Sequence, residues 1–177
     1  RPSVMPDLVK YRSHVLAMAQ LADVLKASDE DLAHLELPGT TPMDQAMHLM
    51  RLGAAQWMAL TLGAEGARLL VRHGDDIKVL SARESAPVKV VDTVGAGDSF
   101  LAGVLACALH HADHPANLVN PNGASNLKSW ASEASDETLK DVLCHALASA
   151  TLVVMRRGCD PARWEEVRAR VSDFPVL

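Results

Sequence analysis

Asp92-Thr93-Val94-Gly95-Ala96-Gly97-Asp98 runs directly into Ser99-Phe100. Two glycines with an alanine between them let the backbone turn tightly and approach a ligand with no Cβ in the way. Beyond them, Phe100, Leu101, Val104, Leu105, Ala108 and Leu109 recur at helical spacing, which predicts a helix from Gly97 to about His110. Unpaired N–H groups and the positive end of the helix dipole meet at such a junction, so phosphate is its natural occupant. The loop lacks the G-x-x-x-x-G-K-[ST] pattern. It is not a dinucleotide fingerprint either, because Phe100 stands where a third glycine or alanine would be needed. On these grounds alone Asp98 reads as a capping acid.

Outward from the loop, strands and helices alternate. A helix is predicted over Asp7 to Gln20, a buried strand over Ala22 to Ala27, and a short helix opened by Ser28-Asp29-Glu30-Asp31. Thr41-Pro42 caps and starts a helix that runs to Leu52. Gln56 to Leu62 reads as a strand, Gly63 to Gly66 as a turn, and Ala67 to His73 with Ile77 to Leu80 as a hairpin around Gly74-Asp75-Asp76. Residues 112–135 are rich in His, Asn, Ser, Pro and Gly and read as a long loop or insertion. Helical spacing returns from Asp136 and stops at Gly158, and a last short helix covers Pro161 to Val171. The alternation predicts an α/β domain with a mainly parallel sheet.

Composition narrows the function. The 177 residues suffice for one domain with a substantial core. Aromatics make up only 3%, so the core must rest on Ala, Val, Leu and Met. A net charge of −5 argues against a nucleic-acid surface. Cys107, Cys144 and Cys159 form no C-x-x-C pair, which points to a reducing, cytoplasmic setting. Neither a signal peptide nor an apolar run of about 20 residues is evident, so no membrane partner is expected. Because the chain opens at Arg1-Pro2 on a helical pattern, the expectation is a piece of a larger protein. His110, His111 and His114 sit close together, with no carboxylate or cysteine completing a recognisable ligand set, and read as a solvated helix end. Met43, Met47 and Met50 read as core filler.

The whole heptapeptide with Ser99-Phe100 resembles the C-terminal signature of the ribokinase (PfkB) family of carbohydrate kinases. The resemblance implies a ribokinase-like three-layer α/β sandwich. Residues 1–177 would be its C-terminal, nucleotide-binding and catalytic part, and an N-terminal part would carry most sugar contacts and a lid. It implies Asp98 as the general base at the acceptor hydroxyl, and Gly95, Ala96 and Gly97 as an anion hole. Thr61-Leu62-Gly63-Ala64-Glu65-Gly66 resembles the turn over the ATP phosphates and ribose, which implies nucleotide contacts at Thr61, Gly63, Ala64 and Gly66. Lys26-Ala27-Ser28-Asp29-Glu30-Asp31 resembles a segment linked to Mg²⁺ and phosphate, with Ser28 for Asn and Asp31 for Glu. Ser28-x-x-Asp31 is equally a capping-box variant.

Leu147 falls where many relatives place an Asn against adenine, and Asp92 where they hold K⁺. Arg1 resembles a substrate-side arginine of fructokinases and 2-keto-3-deoxygluconate kinases. The implied reaction is ATP-dependent phosphorylation of a sugar hydroxyl with Mg²⁺, and K⁺ dependence is a further expectation. Fructose is the first choice of sugar, followed by 2-keto-3-deoxygluconate and then ribose or a nucleoside. A homodimer through the lid is the assembly the resemblance suggests. A nucleotide-binding module or an inactive fragment is the alternative outside catalysis.

Overall fold

The structure, a computed structural model, describes residues 7–111 and 127–173. Arg1 lies outside them. Four strands form one sheet in the order β1 (Val24–Ser28), β2 (Trp57–Thr61), β3 (Ala67–His73), β4 (Asp76–Ala82). β1 and β2 are parallel, with Val24 opposite Trp57 and Ser28 opposite Thr61. β2–β3 and β3–β4 are antiparallel. The expected α/β fold is present, but the sheet is mixed rather than mainly parallel among the described residues. The cause is local: Gly63–Glu65 forms a tight 3-10 turn and Gly74 a hairpin turn, and connections this short can only reverse the chain.

The period of two along β2 divides the core into two layers. Met58 and Leu60 face α1 (Leu8–Leu21), α2 (Asp29–Leu35) and α3 (Pro42–Leu52), where Leu32, Leu49 and Met50 are buried. Met43 and Met47 pack against the same cluster, in keeping with their reading as filler. Trp57 and Ala59 face the other way, onto Phe100 and Val104 of α4 (Ala96–His111) and Leu139, Leu143 and Leu147 of α6 (Asp136–Val154). Helices on both faces of the sheet give the three layers. α7 (Trp164–Asp173) closes the second layer, with Val167 buried.

Capping fixes where the helices begin. Ser28 Oγ accepts the Asp31 N–H at 3.0 Å while Asp31 Oδ2 accepts the Ser28 N–H at 2.8 Å. Thr41 and Asp44 repeat the device on α3, and each box satisfies two otherwise orphaned donors. At the far end of α3, Arg72 of β3 donates to the Met50 carbonyl, and its Nε donates to Ala55 O at 3.2 Å.

Part of the predicted insertion is helical. α5 (Leu127–Glu133) packs Trp130 against Trp57, ring centroids 5.8 Å apart, and buries Ala131. Two turns are too short to show a period, and such a helix is held by packing rather than by propensity. The rest of the predicted insertion, residues 112–126, lies outside the described residues.

α4 and α6 approach closely because Gly103 faces Ala146: a Cβ on Gly103 would stand 2.8 Å from the Ala146 Cα. Cys107 and Cys144 are buried along this seam. Burial, with the Asp141 carboxylate beside it, pushes the Cys107 thiol up to about 12. Among the described residues no helix is long and apolar enough to cross a membrane.

Candidate active site

The glycine loop is held from both sides. Before it, the N–H groups of Val91 and Asp92 donate to Val154 O at the end of α6, at 2.7 and 3.2 Å. Asp92 then ties the two ends of the loop together. Its Oδ1 accepts the Val94 N–H and its Oδ2 the Gly158 N–H, each at 3.0 Å. These backbone bonds outweigh the opposing desolvation and hold the Asp92 carboxyl below its ordinary range. Gly158 has φ +73°, a left-handed turn that suits glycine.

Gly95 is required twice over. Its φ is +82°, and a Cβ there would stand 2.3 Å from the Cys159 Sγ. The exposed Cys159 thus backs the loop. The first turn of α4 follows at once. Thr93 O takes the Ala96 N–H at 3.3 Å and Gly95 O the Ser99 N–H at 2.9 Å. A helix leaves its first four N–H groups without intrahelical partners, so with Ala96 bonded to Thr93 the donors left at this end are those of Gly95, Gly97 and Asp98. The Asp98 side chain is exposed in that turn, while Ser99 and Phe100 are buried beneath it.

β1 contributes the positive charge. A Cβ on Gly97 would stand 3.1 Å from the Lys26 Nζ, so the lysine tip lies against the helix start. The same ammonium is 3.9 Å from Asp31 Oδ2. Desolvation works to raise the Asp31 carboxyl, but the Ser28 hydrogen bonds, Lys26 and His34 together hold it low. Thr61 neighbours Ser28 at the carboxyl ends of the parallel pair, the edge at which α/β sheets bind ligands. Gly63 (φ +54°) and Gly66 (φ +87°) bracket the following turn, and a Cβ on Gly66 would run into the Ala82 carbonyl.

Of the residues singled out in the sequence, Lys26 and Gly97 are thus brought together, with Asp98 next in the same helical turn, Asp31 beside Lys26 and Asp92 tying the loop. Leu147 is different. It is buried in the core under α6, 8% exposed, and its side chain is committed to packing. Gly158 is legible in the sequence as a helix stop, but its bond to Asp92 and the contact of Cys159 with Gly95 are not, because each is a tertiary contact more than 60 positions away.

A glycine loop at a helix start, beside the carboxyl edge of an α/β sheet, is an arrangement suited to anionic ligands. The pfkB family carbohydrate kinase profile matches residues 1–166, and the chain belongs to that family. The fructokinase of Rhizobium leguminosarum bv. trifolii is 41% identical over 106 residues, covering 60% of this chain and 30% of the relative. The fructokinase of Vibrio alginolyticus is 36% identical over 118 residues, 65% of this chain and 36% of the relative. The chain therefore spans about a third of the length of these relatives. Among solved structures, a double mutant of Vibrio cholerae fructokinase, in its fructose-, ADP- and potassium-bound form, has the same fold. It superposes with a TM-score of 0.63 at 22% identity, covering 90% of this chain and 43% of that one.

Proposed function

We propose that this chain is the nucleotide-binding and catalytic part of an ATP-dependent sugar kinase that phosphorylates fructose. The observation that carries the reading is the Lys26 ammonium lying against the α4 N-terminus, whose first turn carries Asp98, within a chain whose family is that of the carbohydrate kinases. Phosphoryl transfer needs little covalent help from the protein. It needs positioning and charge stabilisation. The Lys26 ammonium and the Gly97 and Asp98 N–H groups would receive the phosphate oxygens, with Gly95 and Ala96 shaping the anion hole. Asp98 would take the proton of the sugar hydroxyl as the new P–O bond forms, a role its exposed carboxylate in the first turn of α4 supports. Thr61, Gly63, Ala64 and Gly66 would lie along the nucleotide, with Ser28 close by.

The residues fit the cations this chemistry uses. Mg²⁺ neutralises charge on the triphosphate. Asp31 keeps Oδ1 clear of its capping bonds, and so could meet the ion's hydration shell. Asp92 is an ionised carboxylate already bridging the loop and the Gly158 turn, a fitting neighbour for K⁺. The free thiols suit a cytoplasmic enzyme. Assembly as a homodimer through a lid belongs to the same reading.

A panel of sugars offered to the whole protein with ATP and Mg²⁺ tests the assignment. Phosphorylation of fructose is expected. Activity on 2-keto-3-deoxygluconate or ribose with none on fructose would overturn the choice of sugar, and no phosphorylation of any sugar would overturn the kinase.

A further inference from the structure

We propose that Cys107, His111 and Asp141 form a zinc-binding site that clamps α4 to α6. Cys107 and His111 are four residues apart on α4 and so share one face. Asp141 reaches them from α6. His111 Nε2 is 2.7 Å from Asp141 Oδ2, the Cys107 Sγ is 3.6 Å from the same oxygen, and ligand atoms of all three lie within 4.8 Å of one another. Tetrahedral zinc, with bonds of about 2.0–2.3 Å, holds its ligand atoms roughly 3.3–3.8 Å apart. The Cys107–Asp141 distance already falls in that range, and a shift of the His111 ring away from Asp141 and into line with Cys107 supplies the rest, His111 being exposed enough to move.

The donor set selects the metal. One thiolate, one imidazole and one carboxylate suit Zn²⁺ rather than Mg²⁺ or Ca²⁺, which prefer oxygen alone. The thiol proton leaves to solvent on binding, and the two anionic ligands then neutralise the ion. A fourth position opens onto a cleft of about 410 Å³ lined by His111, Glu137, Thr138, Asp141 and Cys144, where water completes the shell. Two cations face the site. Arg168 Nη1 is 3.7 Å from Asp141 Oδ2 but half exposed, so it can swing into solvent, and Lys140 lines the cleft wall together with Glu137. The cluster is separate from the phosphate loop, since Cys107 lies nine residues, or about 14 Å along the helix axis, from Asp98.

The test is titration of the chain with Zn²⁺ alone, and with Co²⁺ as a spectroscopic probe, in a Cys159→Ser background. One equivalent should bind, with a near-ultraviolet thiolate–cobalt band and a raised melting temperature. Cys107→Ser should abolish the band, and His111→Gln and Asp141→Asn should each weaken binding at least about tenfold. His111→Gln, on an exposed residue, keeps the test decisive if Cys107→Ser fails to fold. Absence of one-equivalent binding, a band that follows Cys144 instead, or full affinity in His111→Gln would overturn the site. In the last two cases the cluster is an ordinary hydrogen-bonded pair beside a buried thiol. None of these outcomes bears on sugar phosphorylation.

Discussion

The Lys26 ammonium lies against Gly97, so that a Cβ at that position would stand 3.1 Å from Nζ. A strand lysine therefore meets the positive end of α4, and among the described residues the carboxylate paired with it is Asp31, 3.9 Å away. Two positive features side by side are held apart from water only at a cost, and a bound phosphate removes it. Lys26→Met should weaken ATP binding about tenfold, or about 1.4 kcal/mol, by titration calorimetry. It should leave the melting temperature almost unchanged, because a loose 3.9 Å pair contributes little. Unaltered ATP affinity would separate Lys26 from the nucleotide.

Gly95 and Cys159 are coupled by contact. Gly95→Ala places a methyl 2.3 Å from the thiol at a φ of +82°, so it should destabilise the chain by about 2 kcal/mol and blunt ATP binding. Adding Cys159→Gly should return the part caused by collision and leave the part caused by backbone strain. A double-mutant cycle in urea measures the two. Strict additivity would mean that the contact does not matter.

Much of this architecture is legible in the residue order because its causes are local. The Ser28–Asp31 box, the Thr41 cap with Pro42 behind it, the Gly74 hairpin and the turn from the glycine loop into α4 each act over a few positions, and each forms as expected. Direction in the sheet is less legible. The Gly63–Glu65 turn forces β3 antiparallel to β2, against the parallel majority that strand–helix alternation suggests. α5 has too few turns to show a stripe and exists by packing Trp130 on Trp57. His111 shows no partner in its own segment, yet Asp141 arrives from thirty positions away through the α4–α6 seam. Leu147, read as lying against a nucleotide base, serves the core.

His145 makes stability depend on pH. It is 2% exposed, its Nδ1 has no hydrogen-bond partner among the described residues, and its ring lies 4.2 Å from that of Trp164. Desolvation dominates, opposed by Asp141 and reinforced by Arg168, His110 and His111, and the imidazole falls from 6.5 to about 4. Between those values the unfolded chain holds the proton and the folded chain does not. The contribution is therefore complete above about pH 6.5 and lost progressively down to about pH 4, by at most about 3 kcal/mol. His145→Leu should flatten this part of a stability profile measured by urea denaturation. An unchanged profile would mean that His145 titrates normally.

Arg170 of α7 donates through Nε and Nη2 to one oxygen of Glu84, at 3.1 and 2.8 Å, and both side chains are nearly buried. Glu84 also receives the Ala86 N–H at 3.2 Å, which fixes the segment leading from β4 toward the loop. Arg170→Ala leaves an uncompensated carboxylate inside and should cost about 3 kcal/mol by chemical denaturation. Glu84→Gln combined with Arg170→Met should recover much of it. A single variant as stable as the parent would show that water reaches the pair.

The central claim is that Asp98 takes the proton of the sugar hydroxyl. The direct measurement compares Asp98→Asn with the parent in the whole protein, recording ATP affinity and turnover of fructose side by side. ATP affinity should stay within about threefold, while turnover falls by roughly two orders of magnitude or more. Unchanged turnover, or a loss of activity explained wholly by lost ATP binding, would contradict the assignment.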